Sequence, residues 1–393
     1  MKYVLSIVLA VCSVLLSAQV FTGKILDEAE RPLQNAKIYV DGTTIAASTD
    51  EGGNFQIDVS TAKIGTMVFQ KEGYSPSAYS YNAVNIKHIR VILMRESSIE
   101  GVQIMAYSDK KHAQYINRFL NEFLGSNNRE IEIKNPRDIV FAYDKSSSTL
   151  YAKSKKPLIV ENSFLGYLIE YQLINFSFNE DSKLVMFSGT THYKNLKGNT
   201  KKDQQWTINR LNTYYGSSLH FFREAYAGTL KEAGYSVNRA VKVKNPKYPW
   251  ELDRKKYSEY LATDFKTVGW KNLTPELEDI QKRLTNEQEM KLEFLEFNIP
   301  QSKFIFKTGE RTMFAFEDLM VTAYTKFLYR EEHGKIVKSP VSKQSTAIAD
   351  THGTEFEISN EGYCSPVNEM TFENDWGKER LAELLPLDYV PSH

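Results

Sequence analysis

Three short runs near the N-terminus alternate apolar and polar side chains: AKIYVDG (residues 36–42), NFQIDV (54–59) and IRVILM (89–94). The side chains of a strand point to opposite faces in turn, so each run buries one face. Turn-forming stretches lie between them, at DEAERP (27–32), DEGGN (50–54) and EGY (72–74). Short strands separated by such turns predict a β-sandwich or a barrel.

The order of these pieces resembles the carboxypeptidase regulatory-like domain, a transthyretin-like β-sandwich. The resemblance rests on GKILD (23–27), PLQNA (32–36), DGT (41–43), TDEGGNF (49–55), EGY (72–74) and VILM (91–94). It implies a non-catalytic module, which in that family stands behind carboxypeptidases and at the front of outer-membrane receptors of the Bacteroidetes type. We expect this β-sandwich to span residues 19–96, followed by a linker or exit strand at residues 97–108.

Residues 1–18 have the layout of a secretory signal peptide. Lys2 supplies a positive charge, residues 4–16 form an apolar run, and Leu16-Ser17-Ala18 is an acceptable cleavage site. The run is too short for a spanning helix. We therefore expect an exported protein, located in the periplasm or associated with the outer membrane. After cleavage Cys364 is the single cysteine, so no internal disulfide forms.

The charge balance and the length of the apolar runs argue against two classes of protein. The chain has 393 residues, with 49 Lys and Arg against 49 Asp and Glu. A general nucleic-acid binder needs a basic footprint, which this balance does not supply. No stretch after residue 18 approaches eighteen consecutive apolar residues, so we expect no transmembrane span. The sequence leaves the oligomeric state open.

Residues 109–393 mix helical and strand patterns, which predicts a larger α+β domain and a mainly β chain overall. Helices are predicted at residues 109–125, 206–215 and 376–385. A further helix is predicted from Ser217 or Ser218 to Gly234, and another begins at Thr274-Pro275. A connector is predicted at residues 242–249. The predicted strands cover residues 139–143, 150–152, 158–160, 167–173, 184–189, 292–297, 304–306, 319–329 and 356–358.

Three phrases in this second part resemble exported Bacteroidetes proteins that carry the same front domain. They are PLIVEN (157–162), YGSSLHFFR (215–223) and LLPLDY (384–389). The resemblance extends over most of the chain after residue 18, but it implies no activity.

The sequence lacks the usual spacings of a catalytic or cofactor site, such as a nucleophile elbow, a phosphate-binding loop or paired zinc ligands. We predict no metal and no cofactor. The candidate ligand-binding residues are His220, Arg223 and Glu224. His220 and Glu224 lie one helical turn apart and share a helix face, and the positive charge of Arg223 beside them could bind an anion. His352, Glu355 and Glu357 are interpreted as solvated polar residues on a strand, with a metal site as the alternative. Glu379, Arg380 and Asp388 are interpreted as a structural group, with a functional ion pair as the alternative.

These observations favour a non-enzymatic cell-envelope protein that binds a protein or glycan partner through the β-sandwich and the aromatic-rich second domain. The 23 Tyr and 22 Phe residues suit such contact surfaces. Two alternatives stay open: a structural accessory subunit of an outer-membrane complex, and an exported hydrolase with an unfamiliar site. Whether the protein is an enzyme stays uncertain, although the lack of a catalytic motif argues against it.

Overall fold

The computed structural model describes residues 19–82, 88–95, 109–125, 130–263, 273–341, 344–366 and 369–392. The predicted signal peptide, and the linker or exit strand at residues 97–108, lie outside these ranges. Strands account for 43% and helices for 22%, so the chain is mainly β, as the sequence predicts. No helix in the described ranges is long and apolar enough to cross a membrane.

The N-terminal part is a β-sandwich-like domain of two sheets. Its strands are β1 (Val20–Asp27), β2 (Lys37–Val40), β3 (Ala46–Ser48), β4 (Asn54–Asp58), β5 (Ile64–Gln70), β6 (Ser77–Asn82) and β7 (His88–Leu93). One sheet has the order β4-β1-β7 and the other β3-β2-β5-β6. Phe55 and Ile57 are buried while their neighbours along β4 are exposed, which confirms the predicted alternation.

A six-stranded sheet and one helix form the next layer. They are α1 (Asp109–Leu124), β8 (Ile131–Ile133), β9 (Ile139–Asp144), β10 (Thr149–Ser154), β11 (Leu158–Asn162), β12 (Tyr167–Asn179) and β13 (Val185–Asn195). The long strand β12 pairs with β11, β10 and β13. Phe119 and Phe123 of α1 are fully buried, and Phe119 meets Phe176 of β12 edge-on at 4.8 Å. The apolar stripe of α1 is therefore a core face.

Two consecutive helices follow, α2 (Thr200–Tyr214) and α3 (Ser218–Ala227). The Ser217 side chain caps α3 by accepting from the backbone N–H of His220. The prediction that this helix extends to Gly234 is wrong. It ends at Ala227 because Gly228 adopts a left-handed conformation (φ 84°) and its N–H bonds the carbonyl of Glu224.

The remaining strands, all after residue 234, form three sheets. They are β14 (Tyr235–Lys244), β15 (Met290–Glu296), β16 (Ile305–Thr308), β17 (Arg311–Phe314), β18 (Leu319–Tyr324), β19 (Phe327–Glu332), β20 (Lys335–Pro340), β21 (Ser345–Asp350), β22 (Phe356–Ile358), β23 (Cys364–Ser365) and β24 (Thr371–Glu373). The sheet orders are β15-β14-β18-β21-β24, β16-β17-β22-β23 and the hairpin β19-β20. The helices are α4 (Glu251–Thr263), α5 (Pro275–Asn286) and α6 (Asn374–Gly377).

The prediction that a helix begins at Thr274-Pro275 is confirmed, because Thr274 caps α5. Several other predictions for this part of the chain need correction. The predicted strand 319–329 is two strands in different sheets, and β14 takes the first residues of the predicted connector. The predicted helix 376–385 stops at Gly377. Beyond it, the backbone N–H groups of Leu381 and Ala382 bond the last carbonyls of α1, at Phe123 (3.3 Å) and Leu124 (3.1 Å). These long-range bonds cap α1 and replace a local helix.

Candidate functional site

A loop of the sandwich, residues 41–44, contacts the edge of the six-stranded sheet. The Gly42 N–H donates to the carbonyl of Thr191 (2.8 Å), and the Tyr193 N–H donates to the carbonyl of Thr43 (2.9 Å). Thr43 and His192 form a parallel bridge between these two bonds. The sandwich therefore adds its own backbone to β13. We call residues 41–44 the junction loop.

The residues after α6, 378–392, hold the junction loop from the other side, and we call them the C-terminal segment. The Leu387 N–H donates to the carbonyl of Gly42 at 2.7 Å, and the Thr44 N–H donates to Asp388 Oδ1 at 3.0 Å. The Thr44 hydroxyl also bonds Asp388. Gly42 has a left-handed φ of 74°, and a Cβ there would lie 3.1 Å from the Leu387 side chain. Glycine thus permits both the turn and the close approach.

Buried polar groups complete the contact between the sandwich and the sheet. Asp41 Oδ1 accepts from the Thr191 N–H at 2.6 Å, and burial raises the pKa of Asp41 to about 6. Lys37 binds Glu170 and donates to His192 Nδ1 at 2.9 Å. Burial, together with the nearby Lys37 charge, lowers the pKa of His192 to about 4, so the ring is a neutral acceptor at pH 7. The two parts meet through specific hydrogen bonds.

Beside this junction lies an open cleft of about 1520 Å³. Its walls come from the junction loop, the six-stranded sheet, the start of α3, the C-terminal segment, and residues of β22, β23, β24 and α6. Most of the lining surface is apolar. Phe222 and Trp376 contribute buried side chains. Tyr151, Leu184 and Met186 form an accessible wall, with 45%, 50% and 55% of each residue exposed.

Glu379 and Arg380 are two of the charged residues in the lining of the cleft. The Glu379 carboxylate accepts from the backbone N–H and the hydroxyl of Ser218, at 2.9 and 2.6 Å. Burial raises the pKa of Glu379 to about 7, although these hydrogen bonds act in the opposite direction. Arg380 lines the same region, where burial lowers the pKa of its guanidinium and the charge of Glu122 acts to raise it. The Glu379 carboxyl in the lining of the cleft therefore changes charge near neutral pH.

The predicted residues His220 and Glu224 lie together on α3. His220 is 3% exposed, and its Nδ1 accepts from the Gly216 N–H at 3.2 Å and lies 3.0 Å from the Tyr235 hydroxyl. Its Nε2 lies 3.5 Å from Glu224 Oε1. The hydrogen bond from His220 lowers the pKa of Glu224. Glu224 also accepts from the Thr229 hydroxyl at 2.6 Å.

Arg223, the third predicted residue, points to the C-terminal segment. Its guanidinium donates to the carbonyls of Glu361 (3.1 Å), Leu387 (2.9 Å) and Tyr389 (2.8 Å). None of the three predicted residues lines the cleft. Their contacts within the described chain are structural, and a ligand-binding role for them stays a prediction.

The other candidate groups are not gathered at one place. His352 contacts Asp350 (3.4 Å) and the Thr371 hydroxyl (3.1 Å), whereas Glu357 lies 3.9 Å from Arg311. Within the residues that the structure describes, no three His, Cys, Asp or Glu side chains form a group that could hold a metal ion. Glu379 and Asp388 serve different contacts, the start of α3 and the junction loop.

Sequence reasoning missed both the junction and the cleft. The DGT motif at residues 41–43 is visible in the sequence, but it serves there only as part of the resemblance to the regulatory-like domain. The hydrogen-bond partners of the junction loop lie 150 residues (Thr191 for Asp41) and 344 residues (Asp388 for Thr44) further along the chain. The only available signal was a polar, glycine-containing turn.

Comparison with known families identifies one part of the chain. Residues 21–105 match the CarboxypepD_reg-like domain, so the front sandwich is a domain of that kind. No curated protein matches the chain significantly.

Proposed function

We propose that this chain is an exported, non-enzymatic cell-envelope protein of the Bacteroidetes type, which binds a partner protein through the cleft beside the junction of its regulatory-like domain with a second, α+β domain. The observation that supports this proposal is the cleft itself. Its volume of about 1520 Å³ exceeds the roughly 300–1,000 Å³ typical of small-molecule pockets. An apolar segment of another chain would fill such a space.

The chemistry of the wall favours a protein segment over a glycan. Leu184 and Met186 are half exposed at the cleft, and a sugar would leave these aliphatic surfaces without apolar contact. The methionine side chain is flexible and polarizable, which suits varied apolar partners. The titratable groups nearby, Asp41 and Glu379, accept hydrogen bonds that hold the fold together.

The test places a photo-crosslinking residue at Met186, and separately at Ile174 as a control. Ile174 is equally exposed (52% against 55%) and lies on the neighbouring strand, but outside the cleft. We expect one discrete envelope protein to be crosslinked from position 186 and not from position 174. Identical crosslinking patterns, or none, would contradict the proposal.

Affinity for the crosslinked partner then gives a quantitative test. Met186→Asp places a charge in the apolar wall and should weaken binding at least about tenfold, since burying an unpaired charge is costly. Ile174→Asp should change the dissociation constant by less than about twofold. Similar losses for both variants would mean that the partner does not occupy the cleft.

Export has an independent test. If residues 1–18 are removed during export, the intact mass of the protein from the envelope fraction corresponds to a chain that begins at Gln19. A cytoplasmic protein that retains Met1 would contradict this part of the proposal and leave the cleft untouched.

A further inference from the structure

Strand β15 forms one end of its five-stranded sheet, and β14 is its only neighbour among the described strands. Met290, Phe294 and Leu295 of this strand are 38%, 41% and 48% exposed. Phe297, just after the strand, is 63% exposed and stacks on Phe294 with ring centroids 5.1 Å apart. An exposed apolar edge strand is a template for pairing with another strand.

The pairing with β14 shows which residues of β15 share a face. Met290, Leu292 and Phe294 lie opposite Lys244, Lys242 and Ala240, and therefore point to one side of the sheet. Lys291 and Glu293 point to the other side. Between Met290 and Phe294, one face of the free edge is apolar, and the other carries one positive and one negative charge.

We propose that this edge binds β15 of a second copy of the chain, antiparallel and centred on Leu292. In this register Leu292 meets Leu292 of the second copy, Met290 meets Phe294, and Lys291 meets Glu293. A two-fold axis repeats each contact, as expected for an isologous interface. Apolar residues thus face apolar residues on one side, and opposite charges face each other on the other side.

The neighbouring registers lack this complementarity. In an antiparallel pair of identical strands, the two-fold axis must pass between the two copies of one residue. If it passed between two consecutive residues, side chains that point to different faces of the sheet would lie opposite each other. Centring on Lys291 or Glu293 places two like charges in contact. Centring on Phe294 places Leu292 opposite Glu296. Centring on Met290 places Leu292 opposite Gln288. Across residues 290–294, the register on Leu292 alone satisfies both faces, and it joins two five-stranded sheets into one.

The register is tested by oxidising a Leu292→Cys variant of the full chain. Directly opposed residues of antiparallel strands have Cα atoms about 4.5–5.5 Å apart, a separation that a disulfide spans. Leu295→Cys is the control, because its two copies would lie about 20 Å apart in this register. We expect a covalent dimer for Leu292→Cys only, although Leu295 is the more exposed residue. Equal or absent crosslinking would overturn the register.

Charge exchange tests the dimer without a new cysteine. In sedimentation equilibrium under reducing conditions, the unaltered chain should dimerise, and Lys291→Glu should raise the dimer dissociation constant at least about tenfold by creating two like-charge contacts. The double variant Lys291→Glu with Glu293→Lys should recover the dimer. Lys335→Glu, on the strand β20, should have no effect. A monomeric chain, or a dimer that tolerates Lys291→Glu, would overturn the proposal.

Discussion

Replacement of Arg223 tests how the C-terminal segment is held. Its guanidinium binds three backbone carbonyls, at Glu361, Leu387 and Tyr389, which are 138, 164 and 166 residues away in sequence. A hydrogen bond from a charged donor contributes about 1.5–3 kcal/mol, and contributions within one cluster are less than additive. We therefore expect Arg223→Ala to lower the free energy of unfolding by about 3 kcal/mol.

The conservative variant separates charge from geometry. Arg223→Lys keeps the positive charge but loses the planar fork, so one ammonium group cannot reach all three carbonyls. We expect a loss of about 2 kcal/mol for this variant. The control is Arg330→Ala, because Arg330 and its partner Glu332 are 56% and 43% exposed. Such a surface pair contributes less than about 1 kcal/mol.

Urea titration followed by circular dichroism measures these free energies, and amide hydrogen exchange locates the effect. The Leu387 N–H, which bonds the carbonyl of Gly42, should exchange faster in Arg223→Ala and remain unchanged in Arg330→Ala. If Arg223→Ala alters stability by less than about 1 kcal/mol and leaves this amide protected, the structural role is refuted. A loss of ligand binding at unchanged stability would instead support the role predicted from the sequence.

Two further predictions concern the cleft and the junction. Glu379 has a folded-state pKa of about 7 against an ordinary value of 4.5, so its protonation stabilises the fold fully below pH 4.5, and this stabilisation is lost as the pH rises through 7. Between pH 4.5 and pH 7, the free energy of unfolding should fall by about 3 kcal/mol more for the unaltered chain than for Glu379→Gln. Parallel pH profiles for the two proteins would contradict the raised pKa of Glu379. Gly42→Ala and Gly73→Ala both place alanine in a left-handed conformation, which costs about 1–2 kcal/mol of stability in each variant. Gly73→Ala is the control, because a Cβ at Gly73 has no neighbour within 4 Å. Only Gly42→Ala should accelerate amide exchange at Leu387, and equal acceleration by both would mean that the junction loop is not tightly packed.

The sequence was most informative where contacts are local. The alternation in residues 36–42, 54–59 and 89–94 predicted strands, and the structure places them in the two sheets of the sandwich. The stripe that includes Phe119 and Phe123 predicted α1, and Thr274-Pro275 predicted the start of α5. In each case the side-chain period or the cap lies within one short segment, so neighbouring residues carry the whole signal.

Local patterns were misleading where distant backbone groups compete for the same segment. Residues 376–385 have a helical pattern, but Leu381 and Ala382 bond the end of α1 instead. His220 and Glu224 do share a helix face, whereas the three carbonyls that engage Arg223 come from segments more than 130 residues away. The sequence shows that His220, Arg223 and Glu224 are able to bind an anion. It does not show that each guanidinium nitrogen of Arg223 already donates to a backbone carbonyl.

The sequence by itself therefore determined the front sandwich, the mainly β character and the positions of several caps. Only the tertiary structure decided that the junction loop lies between β13 and the C-terminal segment, and that an apolar cleft opens beside it. The physical reason is that periodicity reports which face of an element is buried, whereas it contains no information on which distant element covers that face. That choice depends on shape and on backbone hydrogen bonds between residues as far apart as Thr44 and Asp388.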